Sequence, residues 1–435
     1  MTSPNQNQSQ VRVSPERSTG ASAAGAFESL TVSRLDLANF RCYPGLRFEM
    51  GPGPVVLTGP NGAGKTNLLE ALSLLVPGRG LRRARISELR TRGGASPWAI
   101  AARIEGPLGP VEIGTGERPG PADGRDDVDA GEDTRSGEGQ AARETAARER
   151  SGRRVVRIDG RLRRGQAPLA DVMNALWLTP DMDRIFAESA AQRRRFLDRI
   201  VAGFDANHAG RVATFEHALR ERSRLLRDWV RFGRPVDGPW LSALEERMAA
   251  EGVAIAASRR AVVARLDRAS AENSGAFPGV RLAVTGFLEN ALAHGPALEA
   301  EDSYRGSLNR TRRIDGETGG ACDGPHRADL LAHHRAKDMP ADQCSTGEQK
   351  ALLISIVLSV ARLQALEHAL PPVLLLDEVV AHLDGTRREA LFRELEGLGG
   401  QAWLTGTDEA LFDGLKGRGQ FFRVAEGAIQ PRAAT

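Results

Sequence analysis

The chain has 435 residues, 41% hydrophobic and 26% charged, with a formal net charge of +3. At about 150 residues per domain, that length and composition fit two or three globular units. They exclude collagen-like and disulfide-scaffold classes, and no apolar run approaches the ~18 residues needed to cross a bilayer.

In chain order, residues 1–28, rich in Ser, Gln, Asn and Ala, read as a disordered tail without the apolar h-region of a secretory signal. Leu30, Val32, Leu35 and Leu37, then Leu46 and Phe48, then Val55-Val56-Leu57 predict two strands and a third, more buried one. Gly59 to Thr66 is a glycine-rich turn, and Asn67 to Leu75 a helix stopped by Pro77-Gly78. Segments 98–104 and 110–113 read as a strand pair, with a further strand at 154–159. Between them, 115–152 carries ten acids against six arginines, with Val128 its only bulky aliphatic residue, and is expected to be a disordered insert. Residues 29–188 thus supply the first part of an α/β head.

From 189 to 300 the pattern turns helical. Val212, Phe215, Leu219, Leu226 and Trp229, and then Leu241, Leu244, Met248, Ile255 and Val262, recur at heptad-like spacing around the turn-forming run 233–239. An antiparallel hairpin follows, each arm ~25 residues and ~40 Å long. Gly252 and the arginines interrupt the seam, which leaves an ordinary helical subdomain as the alternative. Beyond residue 301 come an apolar helix at 351–366 and buried strands at 373–376 and 402–405. Strands at both ends imply that 301–435 completes the head.

Gly59-Pro60-Asn61-Gly62-Ala63-Gly64-Lys65-Thr66 matches GxxxxGK[ST]. Backbone amides of such a loop converge on phosphate oxygens, with Lys65 placed to neutralise the β- and γ-phosphates and the Thr66 hydroxyl to ligate Mg²⁺. Lysine occurs only at 65, 337, 350 and 416, against 55 arginines, so each retained lysine marks a place that asks for a compact ammonium. Leu374-Leu375-Leu376-Asp377-Glu378 supplies a buried strand ending in two acids, Asp377 for Mg²⁺ and Glu378 to orient or deprotonate water. Ser345-Thr346-Gly347-Glu348-Gln349-Lys350 opens the apolar helix; its position before the LLLDE strand makes it similar to an ABC-type signature loop. In that class Ser345 and Gly347 would meet a γ-phosphate held by a second subunit, with His382-Leu383-Asp384 as the D-loop. Thr66 and Ser345 are 279 positions apart, wider than in transport ATPases and closer to the SMC-like group with its helical arms. Residues 189–320 hold no cysteine, which excludes a zinc-hook apex. Cys42, Cys322 and Cys344, odd in number and without CxxC spacing, favour a reducing cytoplasm.

Further local patterns run in order from about residue 30 to 425. They are Asn39-Phe40-Arg41-Cys42-Tyr43, NLLEAL after the phosphate loop, Gly78-Arg79-Gly80, the QRRRFLD run 192–198, the GPHRADL run 324–330, and Leu404-Thr405-Gly406-Thr407. In these the chain resembles the RecF family of bacterial recombination-mediator ATPases. The resemblance implies an α/β, ABC-type P-loop ATPase head built from both chain ends, with an inserted helical lobe and a short antiparallel arm. It implies ATP and Mg²⁺, the nucleotide being held by Gly59, Pro60, Asn61, Gly62, Ala63, Gly64, Lys65, Thr66 and Asn67, with Arg41 near its phosphates. It also implies an ATP-dependent homodimer on gapped or duplex DNA with single-strand junctions, acting with RecO and RecR to load RecA, and no membrane. Thr405-Gly406-Thr407 where the wider class has a histidine, and Glu348 within the signature, imply slow hydrolysis that serves a switch. Arg79, Arg82, Arg83 and Arg85, and Arg161, Arg163 and Arg164, are two candidate clusters for DNA phosphates; an aromatic content of 5% favours duplex backbone over stacked single strands. An SMC-like ATPase of chromosome organisation and, further off, a transport ATPase subunit are the alternatives.

Overall fold

A computed structural model describes residues 29–94, 96–118, 154–234, 237–271 and 275–432. The expected N-terminal tail and most of the expected insert lie outside them. Thr115–Glu117 of that insert is ordered strand, because it pairs with Val156, Val155 and Arg154 and because Glu117 forms a bidentate pair with Arg90 at 2.6 and 2.7 Å.

In chain order the strands are β1 (Thr31–Phe40), β2 (Tyr43–Glu49), β3 (Val55–Thr58), β4 (Ala99–Glu105), β5 (Val111–Glu117), β6 (Arg154–Ile158), β7 (Arg161–Arg163), β8 (Ala175–Leu178), β9 (Val280–Thr285), β10 (Asp329–His334), β11 (Met339–Pro340), β12 (Val373–Leu376), β13 (Ala402–Gly406), β14 (Gln420–Ala425) and β15 (Ala428–Arg432). The helices are α1 (Lys65–Ser73), α2 (Ala190–Ala202), α3 (His208–Phe232), α4 (Gly238–Ala271), α5 (Phe287–His294), α6 (Ala297–Arg310), α7 (Arg312–Thr318), α8 (Thr346–His368) and α9 (Gly385–Leu398). They divide into two compact units. One comprises residues up to 177 with 370–381 and 395 onward; the other comprises 178–369 with 382–394.

The first unit holds two six-stranded sheets, ordered β2-β1-β4-β5-β6-β7 and β15-β14-β3-β13-β12-β8. In the second sheet β3 lies parallel between β13 and β14, so the two ends of the chain meet as expected. Such strands are covered on both faces, which is why VVLT, VLLL and AWLTG are apolar runs rather than alternating ones. Phe48 of β2 packs edge-on against Trp403 and Phe422, with ring centroids 5.9 and 4.7 Å away. Buried Gln401 joins the two sheets: its Oε1 accepts from the Val32 amide at 3.0 Å, and its Nε2 donates to the Val32 and Gly51 carbonyls. A buried amide satisfied in this way specifies one register.

The second unit is built on the hairpin of α3 and α4. Arg222 pairs with Glu245, and Ser258 with Asp205, which fixes an antiparallel register. The hairpin is thicker than its seam implies. Leu288, Ala300, Tyr304, Leu308 and Ala321 join Phe215, Met248 and Val253 in one apolar cluster. Gly252 makes that possible, since a Cβ there would lie 3.1 Å from both Leu288 and Tyr304. Segment 301–369, expected to belong to the head, therefore folds with the helices: α6 and Ala321 contribute to this core, and β10 pairs with β9. Helix α8 is long and apolar enough to cross a membrane, but its most apolar window is 72% buried, as in a core helix.

The QRRRFLD and GPHRADL runs pack on each other. Arg193 forms a bidentate pair with Asp329 at 2.8 Å, Arg194 donates to the Ala328 carbonyl, and Arg259 joins Asp198 to the Pro325 carbonyl. Buried Arg222 similarly ties Glu245 to Asp315. Such pairs are a costly way to gain stability, and removing one partner strands the other charge.

Candidate active site

β3 delivers the chain into the glycine-rich loop at a position where side chains are excluded. At Gly59 (φ 148°) a Cβ would lie 2.1 Å from the Val424 carbonyl oxygen; at Gly64 (φ 111°) it would lie 2.6 Å from the Tyr43 hydroxyl. Only glycine tolerates both the dihedral and the approach. Pro60, Asn61 and Gly62 form an exposed crest, while Ala63, Gly64 and Lys65 are buried. No side chain caps the start of α1, so its N-terminal amides and dipole are available to an anion.

Lys65 is curled into this loop. Its Nζ donates to the Gly59 and Pro60 carbonyls at 2.7 and 2.9 Å. Burial pushes its pKa below the ordinary lysine value, opposed in part by Glu378 and Asp377. The ammonium thus rests on neutral acceptors that a phosphate would outcompete.

Beside it, at the end of β12, lies buried Asp377. Its Oδ1 accepts from the Thr66 hydroxyl at 3.0 Å and from the Thr405 hydroxyl at 2.7 Å; Thr405 Oγ1 accepts in turn from the Glu378 amide at 2.9 Å. Glu378 sits in the left-handed region (φ 52°), an uncommon conformation for a non-glycine residue, held by that amide contact. A hydroxyl and a carboxylate within hydrogen-bond reach are the hard-oxygen donors that Mg²⁺ selects, so Thr66 and Asp377 fit the ion. Sequence reasoning singled out Thr405 only as part of an absent histidine motif. Its signal was a hydroxyl closing a buried strand adjacent to the acid-bearing one.

Two expected nucleotide residues are engaged elsewhere. Arg41 forms a bidentate pair with buried Glu70 of α1 at 2.8 and 2.7 Å and donates to the Glu88 carbonyl, leaving one N–H on each terminal nitrogen. Asn67 donates to Cys42 Sγ and accepts from Arg82. Glu70, the acid of NLLEAL, is the residue missed here. Of the arginine clusters, Arg79 and Arg85 are exposed, Arg82 is drawn to Asn67 and Glu70, and Arg161, Arg163 and Arg164 are exposed at and just after edge strand β7.

In the second unit, Ser345, Thr346 and Gly347 are exposed at the start of α8. Ser345 forms a capping box with Glu348: the Glu348 amide donates to Ser345 Oγ, while the Ser345 amide and hydroxyl donate to Glu348 Oε2 at 2.9 and 2.8 Å. Lys337 pairs with the same carboxylate. Lys337 first, then Ser345, hold the Glu348 pKa down to about 2. Asp384 of the expected D-loop caps α9 through the Arg387 amide at 2.8 Å.

A family model, the RecF/RecN/SMC N-terminal domain, matches residues 31–414. The DNA replication and repair protein RecF of Mesorhizobium japonicum is 46% identical over 404 residues, covering 92% of this chain and 97% of that protein. RecF of Rhizobium etli is 43% identical over 402 residues, with 92% and 98% covered, and that of Brucella suis is 44% identical over 407, with 92% and 96% covered. Among solved structures, the recombination mediator protein RecF with ATP, in the RecFOR pathway, superposes with a TM-score of 0.75 at 20% identity, over 95% of this chain and 100% of that one.

Proposed function

The chain belongs to the RecF family, and from that membership we propose that it is an ATP-driven, DNA-binding switch of recombinational repair and replication restart in the cytoplasm. The observation that carries the reading is the unbroken chain of contacts Thr66–Asp377–Thr405–Glu378 beside the open start of α1.

ATP lays its phosphates on loop 59–66, and Lys65 leaves the Gly59 and Pro60 carbonyls for the β- and γ-oxygens. Thr66 and Asp377 would hold Mg²⁺, which would offset charge on those phosphates. Glu378 accepts a proton from the attacking water; a bond forms from the water oxygen to the γ-phosphorus as the bond to the ADP oxygen breaks. Thr405 keeps Asp377 and the Glu378 turn in place. Arg41, steadied by Glu70, has donors left for the phosphates.

Ser345 and Gly347 of a second copy close on the γ-phosphate, so ATP binding energy becomes dimerisation energy, which hydrolysis then withdraws. Hydrolysis is slow, as suits a switch. The dimer grips gapped DNA or duplex with single-strand junctions and, with RecO and RecR, helps load RecA. Sedimentation velocity with ATP tests this: Lys65→Met stays monomeric, Glu378→Gln stays dimeric, and the parent dimerises until its ATP is spent. Parent and variants all equally monomeric with ATP would sink the proposal. Phosphate release with and without gapped duplex separates a switch from a scaffold that never hydrolyses.

A further inference from the structure

Among the described residues, three aromatic rings are exposed: Trp229 at 39%, Phe232 at 60% and Trp240 at 51%. All three lie at one end of the α3–α4 hairpin, on the last turn of α3 and the first of α4. Trp229 was expected in the helical seam, but the seam stops short of it. Exposed aromatics normally scatter; a cluster marks a surface that something covers.

The charge around them says what. Arg224, Arg227, Arg231 and Arg234 are exposed in the same stretch, and Arg231 and Arg234 lie over the Phe232 ring at 5.7 and 5.5 Å. Three acids are nearby, and Glu221 pairs with Arg224 at 2.8 Å. Asp237 spends its Oδ1 on the Trp240 amide at 3.0 Å, and Asp228 lies 4.0 Å from Arg234. Arg227 and Arg231 have no carboxylate partner among the described residues. The tip is therefore cationic as well as aromatic. It is also small. The exposed parts of the three rings come to a few hundred Å² at most, against the ~800 Å² per partner of a standard protein interface. Bases need only a ring face each, and phosphates only a guanidinium.

We propose that this hairpin tip, Trp229, Phe232 and Trp240 with Arg231 and Arg234, is a stacking platform for the unpaired bases of single-stranded DNA. Duplex DNA keeps its base faces stacked inside, so the rings select the unpaired strand. The inference rests on the DNA-binding reading above and adds a contact to it on the helical unit.

The test is intrinsic fluorescence with the oligonucleotide dT20 on the full chain, with and without ATP. Trp98, Trp177 and Trp403 are buried, so the acrylamide-accessible signal comes from Trp229 and Trp240. Binding of dT20 is expected to quench that signal and shield it from acrylamide. The triple variant Trp229→Ala, Phe232→Ala, Trp240→Ala is expected to weaken dT20 binding about 150-fold or more, at ~1 kcal/mol or more for each of three stacked bases, while duplex binding and ATP hydrolysis hold. Should the triple variant fail to fold, Arg231→Gln with Arg234→Gln decides: losing two phosphate contacts flattens the plot of log affinity against log salt by ~1.4. Parent-like dT20 binding in a folded triple variant, or an unchanged salt slope, overturns the proposal. So does a tip variant that changes self-association but not DNA affinity. A parent that binds duplex and not dT20 removes this inference and spares the repair reading; a parent that binds no DNA removes both.

Discussion

The starts of α1 and α8 are both candidate receivers of phosphate, and the chain prepares them in opposite ways. α1 begins at a left-handed glycine with no side chain over its amides and a buried lysine held only by carbonyls. α8 begins with a carboxylate in place, since the Ser345 and Glu348 amides are each answered by the other residue's side chain and Lys337 neutralises the acid. The first is a standing anion site. The second carries its own anion, and the proposed γ-phosphate contact must displace or tolerate a carboxylate. On the proposed reading, recognition at α1 is intrinsic to the monomer, whereas at α8 it is conditional on a partner that delivers a stronger anion.

The sharpest way to break this contrast is Lys65→Met, which should lower ATP affinity of the monomer about a hundredfold, as loss of a buried charge partner does, and take hydrolysis to background. Ser345→Ala should leave monomer affinity untouched; equal losses in isothermal titration would erase the distinction. Next, Thr405→Val should cut kcat about tenfold or more with KM within twofold, and Thr405→Ser should restore it, because the hydroxyl positions Asp377 and Glu378 rather than touching nucleotide. A change in KM alone would remove Thr405 from the catalytic assembly. Smaller still, Glu348→Gln should strengthen ATP-driven association about fivefold by removing the resident charge, read by sedimentation. The smallest effects come from pH. Lys65 has a depressed pKa, so ATP affinity is lost as pH rises, and earlier in the alkaline range than for an ordinary lysine. Glu348, ionised down to about pH 2, should leave association flat between pH 8 and 4; a slope there that Glu348→Gln abolishes would place its titration inside that window.

Much of this was legible in the sequence because it is local. The phosphate loop, the acid-ended strand and the helix after Ser345 each depend on residues a few positions apart, and the meeting of the two chain ends follows from where buried strands occur. The lysine bias was informative too: Lys65, Lys337 and Lys350 each hold a specific acceptor, on the loop carbonyls, Glu348 and Asp183. What could not be read is long-range. Nothing local says that Arg41 is claimed by Glu70, that 301–369 packs on the hairpin through Tyr304 and Gly252, or that QRRRFLD and GPHRADL face each other across Arg193–Asp329 and Arg259. Average composition is silent on placement as well, since a low aromatic content does not say that three exposed rings gather at one tip.

The strand that carries the phosphate loop pairs on both sides with segments made about 350 residues later, as in Thr58 opposite Gly406 and Arg423. At ~5–20 residues per second, a ribosome takes roughly 20–70 seconds to supply those neighbours. Until then β3 has no sheet to sit in, and Gly59 lacks the Val424 carbonyl that shapes its turn. On the proposed reading, competence for nucleotide therefore waits until residue 424 has been made, and a copy still short of it cannot be recruited by the fuel that would pair it with one that has it.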